Sequence, residues 1–181
     1  MGSGSSTVCS INLNTVLTPE QQALYQDSGC IRDILARARN IAIVGLSADR
    51  QKASYFVATY LKREGYRIIP VNPRGGTILG ETVYPDLKSI PEKIDLVDVF
   101  RPATELPYIV EQAIAIGAKA IWTQLRIIDF EAAEAARAAG LSVVMDKCVK
   151  MEHGRFNGSL HWAGMNTEII TARRANHSMP G

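Results

Sequence analysis

Asn40-Ile-Ala-Ile-Val-Gly-Leu-Ser47 is the stretch that most narrows what this chain can become. Four consecutive apolar residues end on a glycine, a polar turn follows through Ala48-Asp-Arg-Gln-Lys52, and an amphipathic pattern runs from Ala53 to Glu64. A buried parallel strand feeding a helix has this form: the glycine permits the tight turn, and the free amides of the first helical turn attract phosphate. The stretch predicts the first βα unit of a nucleotide-binding fold. Of the dinucleotide pattern G-x-G-x-x-G only the first glycine stands, at Gly45, because Ser47 and Arg50 hold the other two positions. A serine hydroxyl can donate to phosphate, yet its side chain keeps the backbone from the close approach that bare glycine allows a pyrophosphate. NAD is therefore disfavoured.

The same alternation continues along the chain. Thr18-Pro-Glu-Gln21 carries a capping hydroxyl, a proline at the first helical position and a glutamine three residues after the cap, so a short helix starts there. Ile31, Ile34, Leu35 and Ala38 give a second helix leading into the first strand. After the Gly45 turn, Ala53, Val57, Tyr60 and Leu61 form one helical face, with Gly65 as the stop. Tyr66 to Val71 reads as the second strand, Ile94 to Phe100 as the third, Lys119 to Thr123 as the fourth and Leu141 to Met145 as the fifth. Between them lie a loop from Thr77 to Pro91 with a short extended piece at Glu81 to Tyr84, a helix capped by Thr104 with a face of Leu106, Ile109, Val110, Ala113 and Ile114, and an alanine-rich helix from Asp129 to Ala139. This order predicts an α/β fold: a doubly wound, mainly parallel five-stranded sheet with flanking helices. The domain is expected over 18–152, between an N-terminal extension of 1–17 and a C-terminal extension of 153–181. Met-Gly-Ser-Gly-Ser-Ser reads as an expression scar, the pattern dissolves from His153 onward, and Arg173 to Gly181 is polar enough to be disordered.

Composition removes several function classes. A net charge of +2 with no Lys/Arg-rich run argues against nucleic acid. No apolar run is long enough to span a membrane, and the first ten residues lack the pattern of a signal peptide. Cys9, Cys30 and Cys148 lie too far apart for a disulfide framework or a C-x-x-C site, so a reducing, cytoplasmic setting is expected.

Ligands of an open parallel sheet bind outside the carboxyl ends of its strands. The residues at those ends are Gly45, Leu46 and Ser47 with Lys52; Asn72, Pro73 and Arg74; Phe100 and Arg101; Gln124 and Arg126; and Asp146-Lys-Cys148. Four cations on one rim, Lys52, Arg74, Arg101 and Arg126, suit a highly phosphorylated ligand. Asn72 and Arg74 stand where an NAD site would carry an acid for the ribose hydroxyls. Cys148, Glu152 and His153, with His161 further on, fit no common zinc spacing, so no metal is expected. Trp122 and Phe100 are expected in the core or a pocket wall. Asp95 and Asp98, three residues apart in one strand, are expected on opposite faces. Cys148 follows a strand as a lone cysteine and is expected as a small buried hydrophobe; the alternative is that Lys147 and the positive rim favour a reactive thiolate, provided the sulfur is not sealed in the core.

Taken in order, these pieces resemble the CoA-binding protein family, small stand-alone Rossmann-like domains similar to the N-terminal domain of the succinyl-CoA synthetase α subunit. The matching stretches are Ile41 to Ser47, Lys52 with its helix, Gly65 to Pro73, Val97 to Arg101, Ile121 to Gln124 and Gly140 to Cys148. The resemblance implies that the Gly45–Lys52 and Asn72 turns hold the ADP part of coenzyme A, with the pantetheine arm running toward the ends of the third and fourth strands. It also places Cys148 toward the thiol end. Leu125-Arg126 stands where similar sequences carry a glycine, and no counterpart of the synthetase's phosphohistidine domain is present. The implied function is binding of coenzyme A or acyl-CoA as carrier, sensor or regulatory module, without ligase chemistry of its own. An NADP-dependent oxidoreductase, with Arg74 meeting a 2′-phosphate, is the main alternative. A non-catalytic subunit of an acyl-CoA synthetase-like complex is the other, and a homodimer or protein partner stays open.

Overall fold

Five parallel strands form the centre of the computed structural model, which describes residues 16–156. The N-terminal residues before Val16, and the tail from 157 with His161 and the stretch Arg173 to Gly181, lie outside the described residues. Helices α1 (Pro19–Tyr25) and α2 (Ser28–Arg37) lead into β1 (Asn40–Val44); α3 (Ala53–Arg63) and β2 (Arg67–Val71) follow. A small hairpin of β3 (Thr77–Ile78) and β4 (Glu81–Thr82) comes next, then β5 (Leu96–Val99), a 3-10 turn at Ala103–Glu105 and α4 (Leu106–Ala115). The chain closes with β6 (Ala120–Thr123), α5 (Phe130–Ala138), β7 (Ser142–Val144) and α6 (Val149–Phe156). Among the described residues, no helix is long and apolar enough to cross a membrane.

The sheet order is β2-β1-β5-β6-β7, with every pairing parallel. After β2 the chain crosses back over β1 and winds the other way, so the doubly wound α/β expectation is met. Strand alternation sends Ala42, Val44, Val97, Val99 and Ile121 into one core with α4 and α5. Ile41, Ile43, Leu96 and Trp122 face the other, where α2, α3 and α6 pack. Both faces are apolar, as a sheet covered by helices on each side requires.

Local signals hold well at the start of the chain. Thr18 and Gln21 form a reciprocal capping box at α1, and Ile31, Ile34, Leu35 and Ala38 are all buried. Three elements depart from the sequence reading. The buried face of α3 is Ser54, Val57, Ala58 and Leu61, with Ala53 exposed and Tyr60 half-buried, because the polar Ser54 turns inward to meet the preceding loop. Thr104 does not cap α4: Pro102 starts a 3-10 turn first, and α4 begins at Leu106 with Pro107 in its first turn, where a missing N–H costs nothing. Gln112 also replaces Ile114 on the buried face, its Oε1 accepting the Leu87 N–H at 3.0 Å. Finally, helix α6 runs through His153, where the sequence pattern had suggested irregular chain. His153 and Glu152 are buried there: the Tyr60 hydroxyl lies 2.9 Å from His153 Nδ1, and Lys147 and Arg155 pair with Glu152 at 3.5 and 3.4 Å.

Candidate ligand site at the sheet's switch point

Where the strand order reverses, the loops after β1 and β5 diverge and leave a crevice. A cleft of about 580 Å³ opens there, a size ordinary for a small-molecule site. Gly45, Ser47, Lys52, Ala53 and Ser54 form one side, Asn72, Pro73 and Arg74 a second, Phe100 and Arg101 a third. Three separated stretches of sequence thus meet because the parallel sheet ends all of them on one edge.

Each turn is fastened by specific bonds. The Gly45 N–H donates to the Val71 carbonyl at 2.9 Å and the Phe100 N–H to that of Val44 at 2.8 Å, extending both ladders one residue beyond the strands. Gly45 has φ +87°, and a Cβ there would come within 2.7 Å of Arg101 Cδ and 3.1 Å of the Phe100 carbonyl oxygen. Glycine is required both for its backbone and for its lack of bulk. Past it, the Ser47 N–H donates to Ser54 Oγ at 3.2 Å, and Ser47 Oγ accepts the Asp49 N–H at 3.1 Å. The loop is thereby tied to the first turn of α3. Lys52 is the N-cap of that helix but makes no side-chain capping bond, so the leading amides of an 11-residue helix face the cleft with a lysine beside them. This combination attracts phosphate.

Asn72 behaves differently from a ribose-binding group. Its Nδ2 donates to the Leu46 carbonyl at 3.0 Å and its Oδ1 accepts the Arg74 N–H at 3.0 Å, so the side chain joins the β2 turn to the β1 turn. Arg74 is exposed at the cleft, and neither it nor Lys52 forms an ion pair with a carboxylate among the described residues. Arg101 does: its Nε and Nη2 donate to the two oxygens of Glu105 at 2.9 and 2.6 Å. That bidentate partner halves what Arg101 offers a phosphate, and its i,i+4 spacing was readable in the sequence.

Four predicted site residues are not brought into the cleft wall. Leu46 is fully buried in the α3-side core and contributes only its carbonyl, to Asn72. Gln124 is buried, and its Nε2 donates to Asp98 Oδ1 at 2.7 Å. Arg126 is exposed in a left-handed turn at φ +65°; its backbone N–H donates to Asp146 Oδ1 at 2.7 Å, which ties the ends of β6 and β7 together, and the residue is not among those lining the cleft. Cys148 is half-buried at the start of α6. Burial pushes its thiol up, outweighing the α6 amides, and the Asp98 charge acts the same way. Lys147, expected to favour the thiolate, is itself buried and held by Glu152. These surroundings favour the small, part-buried cysteine over the reactive thiolate.

Two groups escaped the sequence reading. Ser54 lines the cleft from the first turn of α3, its only signal being a serine where an apolar residue would continue the face. Asp98 is fully buried, while Asp95 lies just before β5 and accepts the N–H groups of Arg39 and Asn40, both at 2.9 Å. Burial, with only partial relief from the Gln124 amide and the Val99 backbone, pushes the Asp98 carboxyl up to about 7.

Comparison with known proteins fits this architecture. A structure of a hypothetical protein from Pyrococcus horikoshii OT3 is 39% identical, with a TM-score of 0.70, over 72% of this chain and 92% of that one. The uncharacterized protein YneT of Bacillus subtilis is 37% identical over 68% of this chain and 91% of its own length. The acetate–CoA ligase (ADP-forming) II of Archaeoglobus fulgidus is 25% identical over 62% of this chain, which spans only 19% of the ligase. The model of the CoA-binding domain matches residues 39–154, from the start of β1 into α6. With its sheet order, its switch-point cleft and this match over most of its length, the chain belongs to the CoA-binding domain family.

Proposed function

We propose that this protein binds coenzyme A or an acyl-CoA in the switch-point cleft, as a carrier, sensor or regulatory module. The observation that carries the reading is the pairing of a free helix N-terminus with Lys52 and Arg74, two cations with no carboxylate partner among the described residues, around one cleft. Coenzyme A brings a pyrophosphate and a 3′-phosphate, and the residues present fit that charge pattern. In this reading the α3 amides, Ser47 and Lys52 hold the pyrophosphate, Arg74 meets the 3′-phosphate, and Phe100 borders the path of the pantetheine arm. Asn72 and Glu105 act through others, by fixing the β2 turn and orienting Arg101. Membership in the family supports the ligand class. The likeness to a fifth of an ADP-forming ligase supports a binding module whose chemistry, where there is any, is supplied by a partner.

Titration calorimetry of ligand-free protein with coenzyme A, dephospho-coenzyme A and NADP tests the reading. Coenzyme A is expected to bind tightest and dephospho-coenzyme A more weakly. Tighter binding of NADP would overturn it in favour of a dehydrogenase-type site.

A further inference from the structure

Behind the cleft lies a carboxyl group that the binding of phosphates does not use. Asp98 is the third residue of β5, between Ile43 of β1 and Trp122 of β6, and it is fully buried. Its strand neighbours Val97 and Val99 face the opposite core, so Asp98 lies on the side of Phe100, the cleft-wall residue. Residues two apart on a strand are spaced by roughly 7 Å, which puts Asp98 one step below that wall. Gln124 fills Oδ1, but Oδ2 has no hydrogen-bond partner although it is sealed from water. A stranded buried polar atom of this kind is rare in folded proteins and calls for a cause.

The surroundings decide which form of the carboxyl is present. Against this core stand Cys30 of α2, Tyr55 and Tyr60 of α3, Tyr66, and Cys148 at the start of α6. His153 and the Lys147–Glu152 pair lie on or beside α6. Of these, Cys148 registers the Asp98 charge, and no cation among the described residues offsets it. The Trp122 N–H is committed to the Lys147 carbonyl at 2.7 Å and cannot serve. With Oδ1 accepting from Gln124, the acid form carries its proton on Oδ2. That leaves an O–H donor with no acceptor among the described residues.

We propose that Asp98 is a ligand-binding residue whose Oδ2 donates a hydrogen bond to a carbonyl oxygen on the flexible arm of the bound coenzyme A. The inference rests on the coenzyme A reading and deepens it: the phosphates are held at α3 and the β2 turn, while Asp98, one step below the cleft wall, reads the non-nucleotide half. The carbonyl belongs either to a pantetheine amide or to the thioester of an acyl-CoA. In both cases the bond needs the acid form, so it is present at pH 6 and lost as pH rises through about 7.

Asp98→Asn separates the possibilities, since its Oδ1 can still accept from Gln124 while Nδ2 donates at every pH. Affinities for coenzyme A, acetyl-CoA and adenosine 3′,5′-bisphosphate are measured by calorimetry at pH 6 and pH 8.5, and comparing the two proteins with one ligand cancels titration of the ligand's phosphates. The two should bind coenzyme A alike at pH 6, and the variant should bind roughly threefold to tenfold tighter at pH 8.5, with the bisphosphate indifferent to the substitution. Asp98→Val should bind coenzyme A weaker by a similar factor at pH 6; if it does not fold, the Asn comparison decides. A larger effect with acetyl-CoA than with coenzyme A assigns the thioester carbonyl, and an equal effect assigns a pantetheine amide. A ratio that does not change with pH overturns the role of Asp98 while leaving coenzyme A binding intact. Absence of coenzyme A binding by the unaltered protein overturns the functional reading and this inference with it.

Discussion

Gly45 is constrained twice, by a left-handed backbone and by the packing of Arg101 and Phe100 against its bare Cα. Gly140 has nearly the same φ, +88°, but nothing within 4 Å of its missing Cβ. Gly140→Ala should cost about 1–2 kcal/mol of stability from the backbone alone, and Gly45→Ala distinctly more, as measured by urea denaturation. Equal losses would mean that the Arg101 contact yields freely. The cations also separate at this scale. Charge-assisted hydrogen bonds contribute about 1.5–3 kcal/mol, so Lys52→Ala and Arg74→Ala should each weaken coenzyme A roughly tenfold to a hundredfold. Arg101→Ala should cost less, because Glu105 already occupies its fork, and Arg126→Ala should leave affinity unchanged, because Arg126 does not line the cleft. A large loss at Arg126 in calorimetry would restore the four-cation rim. Spacing named all four residues, but it could not say which of them a neighbouring carboxylate pairs, as at Arg101, or which stands away from the cleft, as at Arg126.

Two helices carry the site's mechanical support. The N-terminus of α3 is both an edge of the cleft and the anchor of the Ser47 loop, through buried Ser54. Helix α6 packs against α3 and α2, with the His153 ring edge-on to Tyr60 and Tyr66 at 5.5 and 5.4 Å between centroids. Burial lowers the His153 pKa from its ordinary 6.5. The unfolded chain therefore holds this proton more tightly, so the stability His153 provides is present above about 6.5 and is lost as pH falls through the folded value. Asp98 shifts the opposite way, and comparing two proteins at each pH removes it from the measurement. Between pH 7.5 and 5.0 the thermal midpoint of the unaltered protein should fall further than that of His153→Phe. Parallel behaviour would show that the buried ring does not titrate in this range.

At the scale of the molecule, the crossing of the chain from β2 over β1 to β5 creates the crevice, and the cleft lies in it. The chain spans about a fifth of the ADP-forming ligase that it matches. Its sequence holds no G-x-x-x-x-G-K-[ST] loop, and among the described residues no histidine stands at a strand end to take a phosphoryl group. Purified protein given acetate, a nucleoside triphosphate and coenzyme A should form no acetyl-CoA in a chromatographic assay. Turnover abolished by a single substitution in this chain would refute the reading of a binding module.

The order of the five sheet strands and of the helices between them was determined by sequence alone, because apolar runs of strand length, helical periodicity and stop glycines are local properties that neighbours reinforce; α6 was not. So was the carboxyl edge as the place of the cleft, since parallel connections leave little freedom there. Helix phase, as at Ser54, was decided by a polar group finding a partner across the loop, and helix start, as at Leu106, by the 3-10 turn that precedes it without any side-chain cap; a one-dimensional pattern contains neither. The same holds for Asp98. Its spacing from Asp95 separated their faces, but only the tertiary structure closed β1, β6 and the start of α6 around one of the two carboxyls, raising its pKa and leaving an oxygen without a bond.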